Sequence, residues 1–537
     1  MIEPINCKKS KNVLKSPYAL TILQKTGFFK SVLPAFLSLD VLTYSPLKFH
    51  EIEIVISLKK EEWFSNIRTD VLAGLVVGLA LIPESIAFSA IAGVDPQVGL
   101  YASFCIAVTI AFFGGRTAMI SAATGAMALL MITLVKEHGL QYLLAATVLT
   151  GLIQVIAGYF KVAKLMRFVS QSVVYGFVNA LAILIFVAQL PELSKMDGLG
   201  YLFVGLGLAV VYLFAYIPKI GKSIPSPLVC IIVLSVVALL LGADMRTVSD
   251  LGQFPDTLPI FLVPDIPLNF ETLFIIFPYA MTLATVGLLE TMMTTTIVNE
   301  ATGTEADRHQ ECRGQGYANI VSGFMGGMAG CAMIGQSIIN VSSGARTRLS
   351  TLTAGVFLLC LVVFLKDWLA YIPIAALVAI MIMVSFTTFN WDSIRNFKKH
   401  PKQSNIVMLA VVIVVLATHN LALGVFVGVL LSALFLVNKL ESEVKVSSFL
   451  LGEHTRQYVI SGQIFFSSSE KFYQFFDFSE DISNVTIDLT HAHIWDITSV
   501  NMLNSVVNKF KAQQIKVHII GLNEASHTLI DQYSTHS

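Results

Sequence analysis

The sequence predicts a polytopic α-helical membrane protein of fourteen spans, in two inverted halves of seven, followed by a small cytosolic α/β domain. Composition, the length of the apolar runs and the distribution of charge carry this reading. Of 537 residues, 55% are hydrophobic and only 13% charged, against about 25% charged in a soluble domain, and the mean hydropathy is +0.73. So few charges cannot cover a chain this long in water, so most of it is solvated by lipid. Lys plus Arg equals Asp plus Glu at 35 each, which leaves no basic field for nucleic acid. The scattered cysteines Cys7, Cys105, Cys230, Cys312, Cys331 and Cys360 read as small packing residues rather than a disulfide or zinc framework.

Residues 1–68 hold ten of the 35 Lys and Arg, with only short apolar runs such as 31–42. They are expected as a cytosolic or interfacial arm, lacking the apolar core and cleavage site of a secretory signal. Residues 69–440 are run after run of apolar sequence, each about as long as a helix needs to cross 30 Å of hydrocarbon. Spans are expected near 70–90, 96–114, 119–135, 141–160, 168–190, 199–217 and 227–243. After a polar, Pro-rich connection a second set follows near 272–298, 314–330, 332–343, 350–366, 369–388, 404–419 and 421–438. An odd number of spans obliges the second half to enter from the opposite side, so halves at 69–243 and 272–438 would form an inverted repeat. Charged and polar residues return over 455–537, where period-two and helical stretches alternate as in a separate soluble domain.

Loop charge supports the orientation. With residue 1 cytoplasmic, the inner loops hold Lys161, Lys164, Arg167, Lys219, Lys222, Arg346, Arg348, Arg395, Lys398, Lys399 and Lys402. The outer loops hold only Lys136, Lys195, Arg246 and Lys366. Excess cytoplasmic cations then place both termini inside, in a multi-pass protein of the cell membrane. The outer loop at 244–271, with Asp244, Asp250, Asp256 and Asp265, agrees with this, though acidic residues weigh little.

Two spans are irregular, each the third of its half. Met119 to Ala128 and Gly330 to Asn340 are interrupted by glycine and hydroxyl residues, and the second is too short to cross. Paired broken spans mark the midplane site of a transporter, and converging half-helix N-termini would bring unpaired N–H groups and positive dipole ends to one anion. Gly125, Gly330 and Gly335 also fit plain close packing, as do Gly74/Gly78 and Gly323/Gly327 at four-residue spacing. Two carboxylates lie within apolar spans, where a charge is costly and retained mainly for function. Glu84 follows Pro83, which removes a helix donor. Glu290 has Thr291 beside it and Thr294 four residues on, so that their oxygens could hold Na⁺ or Glu290 could carry a proton. A buried glutamate that only bonds freed backbone is the alternative.

These motifs resemble the SulP family of anion transporters. The resemblance rests on Ile82-Pro-Glu-Ser-Ile-Ala-Phe-Ser-Ala-Ile-Ala-Gly-Val-Asp-Pro96, Gly99 to Ser103, Gly287-Leu-Leu-Glu290, Gly314 to Asn319, and Gly330 to Leu349. It implies core and gate domains moving against each other, a homodimer, and small anionic substrates such as sulfate, bicarbonate, chloride or dicarboxylates. It places the third-span site on Ser121, Ala123 and Thr124, the start of the tenth-span half-helix near Ala332, Met333 and Ile334, and the first-span contribution on Glu84 and Phe88. The cation position falls on Glu290 with Thr294. Relatives that move bicarbonate with Na⁺ carry Asp where Glu290 stands, which favours proton coupling here. They also carry a hydroxyl where this chain has Met333-Ile334, and many members have Gln in place of Glu84.

The tail is similar to a STAS domain, with strands over 457–466, a helix over 469–476, a strand over 485–489, a helix over 499–510, a strand over 515–520 and a last helix after Asn523. In signalling relatives a phosphorylated serine follows the central strand, and this loop holds Thr498 and Ser499, which read first as a helix N-cap and second as positions for modification. His491 and His493 read as surface or packing residues.

The function expected is secondary active transport of a small inorganic anion, sulfate or a related oxyanion, with H⁺ or Na⁺, across a lipid bilayer and without a cofactor. Alternatives are a Na⁺-coupled bicarbonate transporter, a dicarboxylate or nucleobase permease, and a sensor or scaffold signalling through a cytosolic partner of the STAS domain. A nucleobase permease would carry a carboxylate where this chain has Gln336. No P-loop, nucleophile elbow or His-Glu-x-x-His motif points to an enzyme.

Overall fold

Apolar sequence in long runs folds as helix because only helix satisfies its own backbone where water is absent. In the computed structural model the described residues are 59–214, 225–242, 244–252, 257–267, 269–452 and 454–533. The expected arm up to residue 58 with Cys7, the loop cations Lys219 and Lys222, and Asp256 lie outside them, as does the Arg167 side chain. The helices of the first half are α1 (Ile67–Ala92), α2 (Pro96–Phe113), α3 (Gly125–His138), α4 (Leu140–Tyr159), α5 (Gln171–Val187), α6 (Gly198–Phe214) and α7 (Ser226–Leu241). Those of the second are α8 (Phe270–Thr302), α9 (Arg308–Phe324), α10 (Ile334–Ser342), α11 (Arg348–Phe364), α12 (Ile374–Thr388), α13 (Lys402–Thr418) and α14 (Leu421–Ser442). Among the described residues, six helical stretches are long and apolar enough to cross a bilayer by length and composition, α1, α2, α4, α8, α14 and 171–194, and five shorter apolar helices accompany them. Apolar side chains such as Leu213, Leu240, Phe274 and Phe364 lie exposed on the outer faces, the surface a bilayer covers.

Helix ends follow local chemistry. Gly93 ends α1 in the left-handed region (φ 78°), which lacks a penalty only for glycine, and Pro96 starts α2 at its first turn. Asn269 caps α8 by accepting from Thr272 N, and Asp307 caps α9 by accepting from His309 N and Gln310 N. Buried Asp70 of α1 accepts from the N–H groups of Arg346 and Thr347 and from the Thr347 hydroxyl (2.8–3.1 Å), tying the start of α1 to the start of α11.

Packing sorts the helices into two groups. In one, α1 lies on α11, α4 on α8 and α9, and α2 on α9 and α11; in the other, α5 lies on α12 and α13, α6 on α7 and α12, and α13 on α14. Small residues set the closest crossings. A Cβ on Gly74 would stand 2.5 Å from Ser350 O, and Gly151 and Gly316 each place a hypothetical Cβ within 2.6 Å of the other's carbonyl oxygen. Gly74 and Gly78 are thus packing glycines, as their four-residue spacing predicts.

The two irregular spans are each a three-residue strand followed by a half-helix. β1 (Ser121–Ala123) pairs antiparallel with β2 (Gly330–Ala332) in the register Ser121↔Ala332, Ala122↔Cys331 and Ala123↔Gly330. Because α3 and α10 each begin directly after their strand, they run off in opposite directions with both N-termini at the strand pair.

The tail forms a four-stranded sheet in the order β3-β4-β5-β6: β3 (Lys445–Leu450), β4 (Thr455–Ile464), β5 (Asn484–Ile494) and β6 (Lys516–Ile520). β3 is antiparallel to β4, and the other pairs are parallel. Helices α15 (Ser469–Gln474), α16 (Ile497–Ala512) and α17 (Glu524–Tyr533) accompany them. Tyr458, Ile460, Ile487, Phe472, Leu503 and Phe510 form the buried core. The sheet starts at Lys445, ahead of the expected residue 455. β3 is an edge strand exposed along nearly all its length, so it carries no alternating apolar signal. β5 runs on to Ile494 rather than ending at 489, because after a break in register past Asp488 its pairing with β4 resumes at Ser461↔His491 and continues to Ile464↔Ile494.

Candidate functional site

The strand pair is fastened from several helices. Gly330 N donates to Asn319 Oδ1 (2.9 Å), and Gly330 O accepts from Gln315 Nε2 (2.9 Å) and Asn319 Nδ2 (3.1 Å). Gln154 of α4 completes the set by accepting from Asn319 Nδ2 at 2.8 Å. Opposite, Ala123 N donates to Ser103 Oγ (3.2 Å), and Ser103 Oγ bonds Ser85 Oγ at 2.6 Å. A Cβ on Gly330 would lie 2.0 Å from Ala122 O, so only glycine admits the partner backbone there.

Glu84, Phe88, Ser121, Thr124, Met333, Glu290, Thr291 and Thr294 all converge on this pair. Glu84 Oε2 accepts from Gln336 Nε2 in the first turn of α10, while Phe88 packs on Gly125 at the start of α3. One helix, α1, thereby touches the N-terminal turn of both half-helices. Glu290 Oε2 accepts from Cys331 Sγ (2.8 Å), and Cys331 Sγ bonds Thr124 Oγ1 (3.0 Å). Among the described residues neither carboxylate has an ion-pair partner. Ser121 Oγ is fully buried with no hydrogen-bond partner.

Several expected roles fall differently. Ala123 and Ala332 have their N–H groups engaged, Ala332 N on Thr291 Oγ1 (3.3 Å), and Met333 N donates to Ile120 O (2.8 Å). The donors left without a partner are one step on, in the first turns beginning at Gly125 and Ile334, where the caps Thr124 and Met333 make no side-chain cap bond. Thr294 Oγ1 donates to Glu290 O (2.8 Å) and reaches Ala332 O (3.3 Å). Thr291 and Thr294 therefore fasten β2 to α8. A Cβ on Gly335 would meet nothing within 4 Å, so its place is open rather than packed. Cys331, expected as a packing residue, is a hydrogen-bonding member of the site. Its apolar neighbours conceal that in the sequence, whereas Asn319 and Gln315 stand on α9 just ahead of β2, inside the Gly314 to Asn319 motif, with nothing in their spacing to assign them Gly330 as a partner. Gln336 carried the one visible signal, a polar residue inside the short tenth span.

In the tail the N-cap of α16 is Asp496, whose Oδ1 accepts from Ser499 N and Ser499 Oγ (2.9 Å each). Ser499 is buried and Thr498 exposed. His493 Nδ1 bonds Asn523 Nδ2 (3.1 Å). Ser467 Oγ (2.8 Å) and Lys471 Nζ (2.5 Å) both reach Glu441 at the end of α14, joining the tail to the last helix of the membrane part.

Two broken spans paired through their strands, ahead of a STAS-like sheet, agree with what family models find in the sequence. The model described as the sulfate permease family matches residues 67–204 and 198–412, and the STAS domain model matches 452–537. The chain belongs to the sulfate permease family. It is 53% identical over 473 residues to the "Putative sulfate transporter YbaR" of Bacillus subtilis (strain 168), covering 88% of this chain and 98% of that one. It is 25% identical over 413 residues to the "Bicarbonate transporter BicA" of Picosynechococcus sp., covering 71% and 72%. In fold it is similar to SLC26A9 (TM-score 0.74, 16% identity, 88% of this chain and 87% of that one). It is also similar to the transmembrane domain of a cyanobacterial bicarbonate transporter BicA (TM-score 0.61, 22% identity, 71% and 100%). This member of the sulfate permease family is therefore a multi-pass, mostly helical membrane protein of a transporter family, with a STAS domain at its carboxyl end.

Proposed function

We propose that the protein is a secondary active transporter of a small oxyanion, sulfate first, driven by H⁺ or Na⁺ through alternating access. The observation that carries this is the antiparallel pairing of β1 and β2. It brings the N-termini of α3 and α10 to one place, with first-turn N–H groups unpaired and both dipoles positive toward the same spot. The anion takes these donors together with the unpartnered hydroxyl of Ser121 and the hydroxyl of Thr124, with Phe88 and Met333 as apolar walls. The cation sits at Glu290 on α8, and Glu84 is a second proton-carrying position. Neither carboxylate has a cationic partner, so a cation bound beside the anion offsets charge that the bilayer would penalise.

The two packing groups serve as core and gate. The helices that frame the strand pair belong to the first group, and sliding it against the second would expose the site to each side in turn. The reciprocal crossings of α1 on α11 and α8 on α4 support an inverted repeat of seven spans each, with both termini cytoplasmic. The protein works as a homodimer, and the STAS domain takes a cytosolic partner, with exposed Thr498 the accessible position for modification.

The test is uptake of labelled sulfate and bicarbonate into proteoliposomes under imposed pH and Na⁺ gradients, with Glu290→Gln in parallel. Gradient-driven sulfate uptake that fails in the variant is the expected result. Bicarbonate uptake alone would transfer the reading to that anion, and no uptake of either would remove it.

A further inference from the structure

Three side chains from three elements form a continuous chain through the strand pair: Glu290 on α8, Cys331 on β2 and Thr124 at the start of α3. Each has direction. A thiol carries one hydrogen and can also accept, and here it donates to Glu290 Oε2 at 2.8 Å. Its contact with Thr124 Oγ1 at 3.0 Å must then run the other way, with the hydroxyl proton of Thr124 pointing at the sulfur. In this arrangement Thr124 spends its only donor inside the protein and offers the anion just its lone pairs. The backbone beneath the thiol is tied down, because Cys331 is paired to Ala122 and the adjacent Gly330 is held by Asn319 and Gln315. Only the thiol and hydroxyl rotors are left to respond.

We propose that Cys331 is a positioning residue that couples cation to anion by reversing this chain, an inference that rests on the transport reading above. A cation on Glu290 takes up the carboxylate lone pair that holds the thiol proton. The S–H turns to Thr124 Oγ1, and the Thr124 hydroxyl proton swings toward the anion at the N-terminus of α3. No covalent bond forms or breaks within the chain, and each rotor keeps its own proton. The anion gains one hydroxyl donor only when the cation is bound, so the two ligands bind cooperatively. By linkage the gain is mutual. A side chain without both a donor and an acceptor at position 331 would leave the two sites intact and disconnected.

The experiment measures sulfate KM and kcat in proteoliposomes of the full-length protein at low and high concentration of the driving cation, for wild type, Cys331→Ala, Cys331→Ser and Thr124→Val. The wild-type KM falls as cation rises. In Cys331→Ala and in Thr124→Val the ratio of the two KM values falls toward one, and Cys331→Ser, which keeps one donor and one acceptor, restores the ratio. A Cys331→Ala protein that keeps the wild-type ratio overturns the inference. Should that variant not assemble, Thr124→Val retaining the ratio, or Cys331→Ser losing it, overturns it equally. A wild type that takes up no sulfate under any pH or Na⁺ gradient brings down the transport reading and this coupling together, whereas a cation dependence of KM that persists in Cys331→Ala and Thr124→Val brings down this one alone.

Discussion

At the first break β1 is anchored by hydroxyls: Ser103 on Ala123 N, Ser337 on Ile120 N and Thr351 on Met119 O. At the second, β2 is anchored by the buried amides Asn319 and Gln315 on Gly330 and by Thr291 and Thr294 of α8 on Ala332. The backbones are alike, a three-residue strand and a half-helix, yet the surroundings differ. β1 keeps one hydroxyl, Ser121, buried and unspent, whereas β2 shares its helix neighbour with Glu290. On the proposed reading the same local geometry serves two tasks, with one arm holding donors for the anion and the other connected to the cation.

The comparison can be broken first at the cation arm. Glu290→Gln is expected to lower gradient-driven uptake by about 5- to 150-fold, the usual range of a coupling energy, while Ser121→Ala raises anion KM and leaves the cation dependence of uptake in place. Flux against gradient size separates the two, and an equal loss of cation dependence in both would merge the arms. Next come the glycines. Gly330→Ala forces a methyl to 2.0 Å from Ala122 O, and backbone clashes of this kind cost about 1–3 kcal/mol or more. Gly335→Ala enters open space and should change stability by less than about 0.5 kcal/mol. Thermal unfolding in detergent compares them directly, and a Gly335 variant as unstable as the Gly330 variant would show that both positions are packed.

The anchors should differ by a smaller margin. Asn319→Leu strands the N–H of buried Gly330 and the Gln154 Oε1 acceptor, while Gly330 O keeps its bond from Gln315, and costs about 1–3 kcal/mol, whereas Ser103→Ala removes one hydroxyl acceptor from Ala123 and costs about 1 kcal/mol. Equal losses in the unfolding midpoint would erase the distinction between amide and hydroxyl anchoring.

The smallest effect lies in the tail, far from both arms. The Thr490 hydroxyl and N–H hold the Asp488 carboxyl below its ordinary range, with bonds of 2.5 and 3.0 Å. Because the folded value is depressed, this contribution is present above the ordinary carboxylate pKa and fades as pH falls through the lowered one. Thr490→Val should make protection of β5 fade at a higher pH, as read by hydrogen exchange of the 484–494 segment in the full-length protein. Transport is expected to stay unchanged.

Much of the plan was legible in the sequence because it is written in run lengths. Apolar stretches of spanning length, glycine and hydroxyl residues at two corresponding positions, and two carboxylates inside apolar text all announce themselves locally, since the bilayer penalises anything else. The STAS strands with alternating burial were readable for the same reason, while the exposed edge strand β3 had no pattern to betray it. Glu84 and Glu290 were marked by their cost. Cys331 was not, because a cysteine among apolar neighbours looks the same whether it packs or bonds.

What the chain alone determined, then, is the membrane plan, the positions of the two breaks and the residues that a hydrocarbon setting makes conspicuous. The tertiary structure decided who meets whom. Thr124 reaches Cys331 across 207 residues and Glu84 reaches Gln336 across 252, and such contacts depend on β1 and β2 pairing in one register, which helices α2, α4, α8 and α9 impose from outside the two segments. The three-residue strands have too few hydrogen bonds to choose that register themselves. The fold chooses it, and with it which donors are consumed and which remain for an anion.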